Sequence, residues 1–263
     1  MRRGRGLAAA LLFGYAFLYL PILLLVAFSF NDSRLVTVWS GFSLRWYVAL
    51  WNNSRLVEAA LLSLRIAAVA ATGALILGTL SGFALARMRF SGRNLFGAMV
   101  AAPLVMPEVI TGLSLLLLFV AMDQAFGWPA GRGADTIAIA HTTVATAYVA
   151  VVVTSRLADL DGALEEAALD LGARPWKVFV LITLPIIAPA LASGWLLAFT
   201  LSLDDLVIAS FVSGPGASTL PMVVFSSLRL GLTPELNALA SLIILLVVVV
   251  LAAAWRLARF RRG

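Results

Sequence analysis

The chain has 263 residues, of which 62% are hydrophobic and 12% charged, with a formal net charge of +6 and a mean hydropathy of +1.02. Such values lie outside the soluble globular range and indicate an integral membrane protein. The absence of cysteine excludes disulfides, thiolate metal sites and a cysteine nucleophile.

Six apolar stretches are long enough to cross a hydrocarbon core of about 30 Å as helices. They fall at residues 7–30, 57–86, 94–122, 136–157, 186–213 and 235–257. Period-2 alternation is missing, so the class is all-α rather than a membrane barrel. With both termini inside, the inner ends collect Arg2, Arg3, Arg5, Arg87, Arg89, Arg93, Arg156, Arg174, Lys177, Arg256, Arg259, Arg261 and Arg262. Topology and anionic lipid thus account for the basic pI of 10.7, and nothing separately supports nucleic acid as a partner.

The first span follows a basic head, "RRGRG", and its apolar stretch reaches Phe30. That is longer than a signal core of about 7–15 residues, so a retained span is expected. In the following external segment, Ser43 is placed to cap a short helix over Leu44 to Trp51, and Trp39, Trp46, Tyr47 and Trp51 form an expected interfacial belt. Span three contains Pro103 and Pro107 with Glu108 directly after, a pattern that predicts a kink or break with an acid at membrane depth. The single histidine, His141, lies early in span four with no metal partners in the sequence, and reads as a packed, hydrogen-bonded residue. Span six opens with Thr233 as N-cap, Pro234 at the first helical position and Glu235 in the first turn.

Between spans four and five runs "SRLADLDGALEEAALDLGARPWKVFVLITLPIIAP", too polar to span and too periodic for a loose loop. Leu164, Ala167, Ala168 and Leu171 recur at helical spacing, and Gly172 is placed to stop that helix in a left-handed conformation. A second short helix begins at Pro175, with Pro185 ending the segment. Small residues at the bend allow another protein to approach, and Glu165, Glu166 and Asp170 offer it negative charge. An interfacial helix resting on lipid is the alternative.

The stretch "EAALDLGARPWKVFVLITLP" resembles the EAA signature of ATP-binding-cassette importer permeases, matching at Glu166, Ala167, Ala168, Gly172, Ile182, Leu184 and Pro185. Three more stretches, "APLVMPEVITGLSLLLLFVA", "GWLLAFTLSLDDLVIASFVSGPGASTLP" and "LTPELNALA", resemble the polyamine branch of that family, most closely its putrescine permeases. The resemblance implies one permease domain over residues 1–263 with a MetI-like fold, and a coupling hairpin over about 158–185. It also implies the partners: a second homologous permease, two cytoplasmic ATPase subunits that hold ATP and Mg, and a periplasmic polyamine-binding protein. The chain itself, lacking G-x-x-x-x-G-K-[ST], is expected to bind no cofactor.

Within "FTLSLDDLVIASF", Asp204 and Asp205 interrupt an apolar run. A polyamine is a methylene stem with ammonium groups, so its route needs sparse carboxylates. At 100° per residue, Ser193, Thr200, Asp204 and Phe211 share one line, while Asp205 points toward Gly194, Ala198 and Ala209. Asp204, Thr200 and Glu108 are therefore the expected pathway residues. Asp205 is expected to lie buried between helices, held by hydrogen bonds or by a cation, for which Arg65 or Arg229 is the candidate, although the two aspartates could exchange roles. A membrane enzyme using these acids lacks a nucleophile–base pair, and a secondary transporter leaves the signature unexplained.

Overall fold

The computed structural model describes residues 2–35, 38–230 and 233–260. Arg261 and Arg262 lie outside the described residues, as do the side chains of Arg2, Arg3, Arg5, Arg256 and Arg259. Helix is the regular secondary structure of the described residues, joined by one isolated antiparallel bridge between Asn31 and Phe42. Two compact units emerge, residues 1–58 with 224–263, and residues 59–223.

The first unit contains α1 (Arg2–Ser29), α2 (Arg45–Asn52), the opening of α3 (Ser54–Arg87), and α12 (Pro234–Phe260). Both α1 and α2 pack on α12. In this apolar setting the polar side chains find one another. Tyr47 Oη lies 2.7 Å from Ser29 Oγ and 2.8 Å from Ser241 Oγ, and Asn53 Nδ2 donates to Glu235 Oε2 at 2.8 Å. Only half of the expected aromatic belt is displayed. Trp39 and Trp51 are exposed, but Trp46 is buried and its Nε1–H donates to Asn31 O at 2.7 Å. The indole N–H needs a partner once buried, and the chain reversal at Asn31 supplies one.

The second unit holds the rest of α3, then α4 (Arg93–Val105), α5 (Glu108–Phe126), α6 (Ala134–Ala158), α7 (Ala163–Asp170) and α8 (Pro175–Val178). A π-helical turn over Phe179–Thr183 leads into α9 (Leu184–Asp204), followed by α10 (Val207–Val212) and the start of α11 (Leu220–Leu230). Helix α6 is the hub, packed against α9, α4 and α10. Glycines on α3 allow a close approach to it: a Cβ at Gly78 would stand 2.6 Å from Val149, and one at Gly82 2.9 Å from Val153.

Among the described residues, five helical stretches are long and apolar enough to cross a membrane: Ala10–Ser29, Ser54–Arg87, Glu108–Phe126, Ala134–Ala158 and Pro175–Asp204. The 27-residue α12 matches the sixth expected span. Residues 94–122 carry the break that the prolines predict: the backbone turns extended at Met106 and Pro107 and splits them into α4 and α5. One expectation changes, because span five does not run unbroken over 186–213. It is helical from Pro175 to Asp204, then breaks at Asp205 and Leu206 before α10.

Candidate functional site

The α7–α8 hairpin is closed by Gly172, whose φ of +84° is the left-handed conformation that glycine adopts without steric cost. Gly172 N–H donates to Leu169 O at 2.9 Å, and Ala173 N–H donates to Ala168 O at 3.0 Å. Those two bonds form a Schellman motif that satisfies the last carbonyls of α7. Pro175 begins α8, where its missing N–H costs nothing. Pro185 does not end the segment as expected. It sits in the first turn of α9, directly after the π-turn, and the helix continues through it. Inside a continuous helix a proline removes one backbone hydrogen bond, and the π-turn immediately before it is where the ladder departs from its usual spacing.

The hairpin's side chains divide into two sets. Glu166, Ala167, Asp170 and Gly172 are exposed and Ala168 is half-buried, while Leu164 and Leu171 are 63% and 89% exposed. The apolar stripe of α7 therefore faces away from its own unit. Glu165 does the opposite, which corrects its expected place on the outward face. Its Oε2 lies 3.1 Å from Arg87 Nε at the end of α3, and its Oε1 accepts from Thr183 Oγ1 at 2.7 Å. Arg87 also donates to Leu160 O at 3.3 Å. Ile182 and Leu184 are half-buried, and Leu184 packs on the core beneath. Arg87 and Thr183 carry no signal in the sequence that marks them as partners of Glu165.

The second constellation is the break in span five. Thr200 and Asp204 are exposed on α9, with Ser193 exposed on the same face. Phe211 leaves that line because the break intervenes, and it packs instead on Gly112 of α5, where a Cβ would stand 2.8 Å from its ring. Asp205 is turned inward, as expected, but neither Arg65 nor Arg229 is its partner. Its Oδ1 accepts from Ala209 N–H at 2.8 Å, covering an orphan donor of α10, and lies 3.3 Å from His141 Nε2. His141 is 4% exposed, with Nδ1 at 2.6 Å from Ser202 Oγ. Arg65 is exposed on α3, and Arg229 lies over the Phe225 ring at 4.6 Å.

Glu108 is exposed at the start of α5, where the helix N-terminus favours a carboxylate. Gly112, four residues later, meets Ile208 and Phe211 of α10. Glu108 therefore stands about 6 Å, one turn, ahead of the contact between α5 and α10, whereas the break at Asp205 and Leu206 lies between Asp204 and that contact. Trp195 and Phe199 are stacked at 5.2 Å and packed on the α6–α9 core, with Trp195 Nε1–H donating to Thr72 Oγ1 at 3.2 Å. They belong to the packing rather than to a cation cage.

The family model described as binding-protein-dependent transport system inner membrane component matches residues 74–261. The chain belongs to that family. It is accordingly a multi-pass inner-membrane permease, a transport component rather than an enzyme, which agrees with the apolar helices above. The permease is 64% identical over 248 residues to the putrescine transport system permease protein PotI of Escherichia coli (strain K12), covering 94% of this chain and 88% of that one. It is 44% identical over 233 residues, 88% of each chain, to the spermidine/putrescine transport system permease protein PotC of Haemophilus influenzae. Its fold superposes on a chain of a bacterial ABC transporter involved in import of the acidic polysaccharide alginate with a TM-score of 0.70 at 16% identity, over 98% of this chain and 96% of that one.

Proposed function

We propose that this permease carries putrescine inward across the cytoplasmic membrane as a subunit of an ATP-binding-cassette importer. The observation that carries the substrate is the 64% identity to a putrescine permease over nearly the whole chain. Physical chemistry supports it. An exposed carboxylate on an apolar span is too costly to face lipid, so Asp204 belongs against an aqueous route or a second subunit. With Thr200 on the same face of α9 and Glu108 exposed at the start of α5, it supplies sparse negative charge for the ammonium ends of a diamine.

The assembly contains a second homologous permease, two cytoplasmic ATPase subunits and a periplasmic polyamine-binding protein, with both termini of this chain in the cytoplasm. Residues 1–263 form its single permease domain, and residues 158–185 its coupling segment. The outward stripe of Leu164, Ala167 and Leu171, edged by Glu166 and Asp170, fits a cleft on the ATPase. ATP and Mg are held there, and ATP-driven closure moves the hairpin and, through Ile182, Leu184 and Pro185, span five.

A permease that also accepts spermidine is the second reading, favoured by the 44% identity to a spermidine/putrescine permease. Uptake of radiolabelled putrescine into proteoliposomes holding the full complex separates the two. ATP-dependent uptake that survives excess unlabelled spermidine supports a putrescine importer. Uptake abolished by spermidine favours the second reading, and an ATP-hydrolysing complex that moves neither removes the polyamine assignment.

A further inference from the structure

We infer that His141 is a positioning residue for translocation: tied to Ser202 and to Asp205, it fixes the break between α9 and α10 and with it the direction of Asp204. The inference rests on the reading of Asp204 as a pathway carboxylate.

The geometry starts from a cost. Asp205 has a side chain only 11% exposed within an apolar span, and a carboxylate there persists only with compensation. The Ala209 N–H supplies one part at 2.8 Å, and His141 the other at 3.3 Å. At that separation the Nε2 and carboxylate atoms are in close polar contact without being aligned as a hydrogen bond. The ring cannot rotate away, because Nδ1 is held at 2.6 Å by Ser202. Fixing one nitrogen of an imidazole fixes what the other can reach.

Two of four consecutive residues, 202 and 205, are thus tied to the same side chain of α6. Asp204 lies between them and is exposed. Its backbone is bracketed by the two held residues, Ser202 and Asp205. The far end of α10 is gripped by α6 as well, since Thr136 Oγ1 donates to Val212 O at 2.7 Å. Helix α6 therefore clamps the short helix at both ends, five residues apart on its own surface.

The cavity beside His141 decides between positioning and binding. Lined by His141, Val144, Ser202, Asp205 and Ile208 among others, it has a volume of about 30 Å³. That is room for about one water molecule, not for an ammonium with its methylene stem. His141 acts through Asp205 and Ser202, not on the substrate.

The test is ATP-driven uptake of radiolabelled putrescine by the complete complex in proteoliposomes, with wild type, H141L, H141Q, D204N and the H141L/D204N double variant. H141L is expected to lower uptake about tenfold while the complex still assembles and hydrolyses ATP, and H141Q, which restores a donor toward Asp205, to recover uptake to within about threefold of wild type. The double variant is expected to be no worse than D204N, because both changes remove the same oriented carboxylate. A general packing defect would instead add to the D204N loss, and that result would overturn the inference. If H141L fails to assemble, S202A replaces it in the same cycle with an expected loss of about threefold and the same criterion. Unchanged uptake by D204N would sink the pathway reading itself, whatever the histidine variants do.

Discussion

In the α7–α8 hairpin, the stop, the cap and the outward stripe lie within a few residues of one another, whereas the break at Asp205 draws its partners from α6, 61 positions away in the case of Ser202 and His141. The hairpin is a surface device shaped by backbone conformation, and its exposed side chains are the ones proposed to meet the ATPase. The break is an interior device held by side-chain chemistry, and its exposed carboxylate is the exception. Changes in the two regions are accordingly expected to fail differently: hairpin changes uncouple ATP hydrolysis from uptake, and changes at the break alter uptake through the route.

Gly172→Val sharpens this contrast most. A Cβ at Gly172 has open space, so any effect comes from φ of +84°, which a β-branched residue adopts only at a cost of about 1–2 kcal/mol or by reshaping the turn. Uptake is expected to fall at least about tenfold, with the permease still inserted and ATP hydrolysis persisting. Tightly coupled residual activity, in which hydrolysis falls in step with uptake, breaks the distinction on the hairpin side.

Asp205→Ala comes next. It leaves the Ala209 N–H without its partner and removes the charge facing His141, for a loss of about 1–3 kcal/mol in stability. The midpoint of thermal unfolding in detergent is expected to fall. Asp204→Ala, at an exposed position, is expected to leave that midpoint within the scatter of surface substitutions, about 0.5 kcal/mol. Equal destabilisation by the two would mean that both aspartates are structural.

Arg87→Ala has a smaller expected effect. Glu165 keeps its bond to Thr183, so the hairpin stays folded, but its tie to the end of α3 is lost. The pair is partly exposed, at 25% and 19% for the two side chains, and solvent screening keeps its contribution to about 1 kcal/mol. Uptake is expected to drop about two- to fivefold at constant ATP hydrolysis. Glu165→Gln should reproduce it, and an undiminished uptake-to-hydrolysis ratio in both would return Glu165 to the outward face.

The same contrast explains what was legible in the sequence. Gly172, Pro175 and the stripe of α7 obey local rules, so their conformations follow from a few neighbouring residues. Pro103 and Pro107 announced a disturbance in span three, and the break falls at Met106–Pro107. Asp205 read as buried because its neighbours Gly194, Ala198 and Ala209 are small, and Gly194, Ala198 and Ala209 are indeed buried. Its partner was hidden. Charge counting favoured Arg65 and Arg229, yet an imidazole reaches a buried carboxylate without bringing a permanent charge into the core, and nothing local to His141 points to residue 205. The break after α9 was missed for a related reason: the run 199–211 carries no proline or glycine, and at the break the Asp205 side chain accepts from the Ala209 N–H.

Trp195→Phe gives the smallest expected effect and tests where the break's influence ends. Trp195 lies on α9 about two turns before Ser202, stacked on Phe199 at 5.2 Å. Phenylalanine keeps an aromatic face there but loses the Nε1–H donated to Thr72, a partly exposed hydrogen bond contributing about 0.5–1 kcal/mol. Thr72 Oγ1 retains its own bond to Ala68 O at 2.8 Å, so no polar group is stranded by the change. Stability is therefore expected to fall by no more than about 1 kcal/mol, with uptake within about twofold of wild type. A loss comparable to that of Asp204→Asn would place the indole on the route, because packing alone gives it no means to slow transport so far. The pathway would then extend from Thr200 about a turn and a half toward the hairpin, joining regions that otherwise work by separate means.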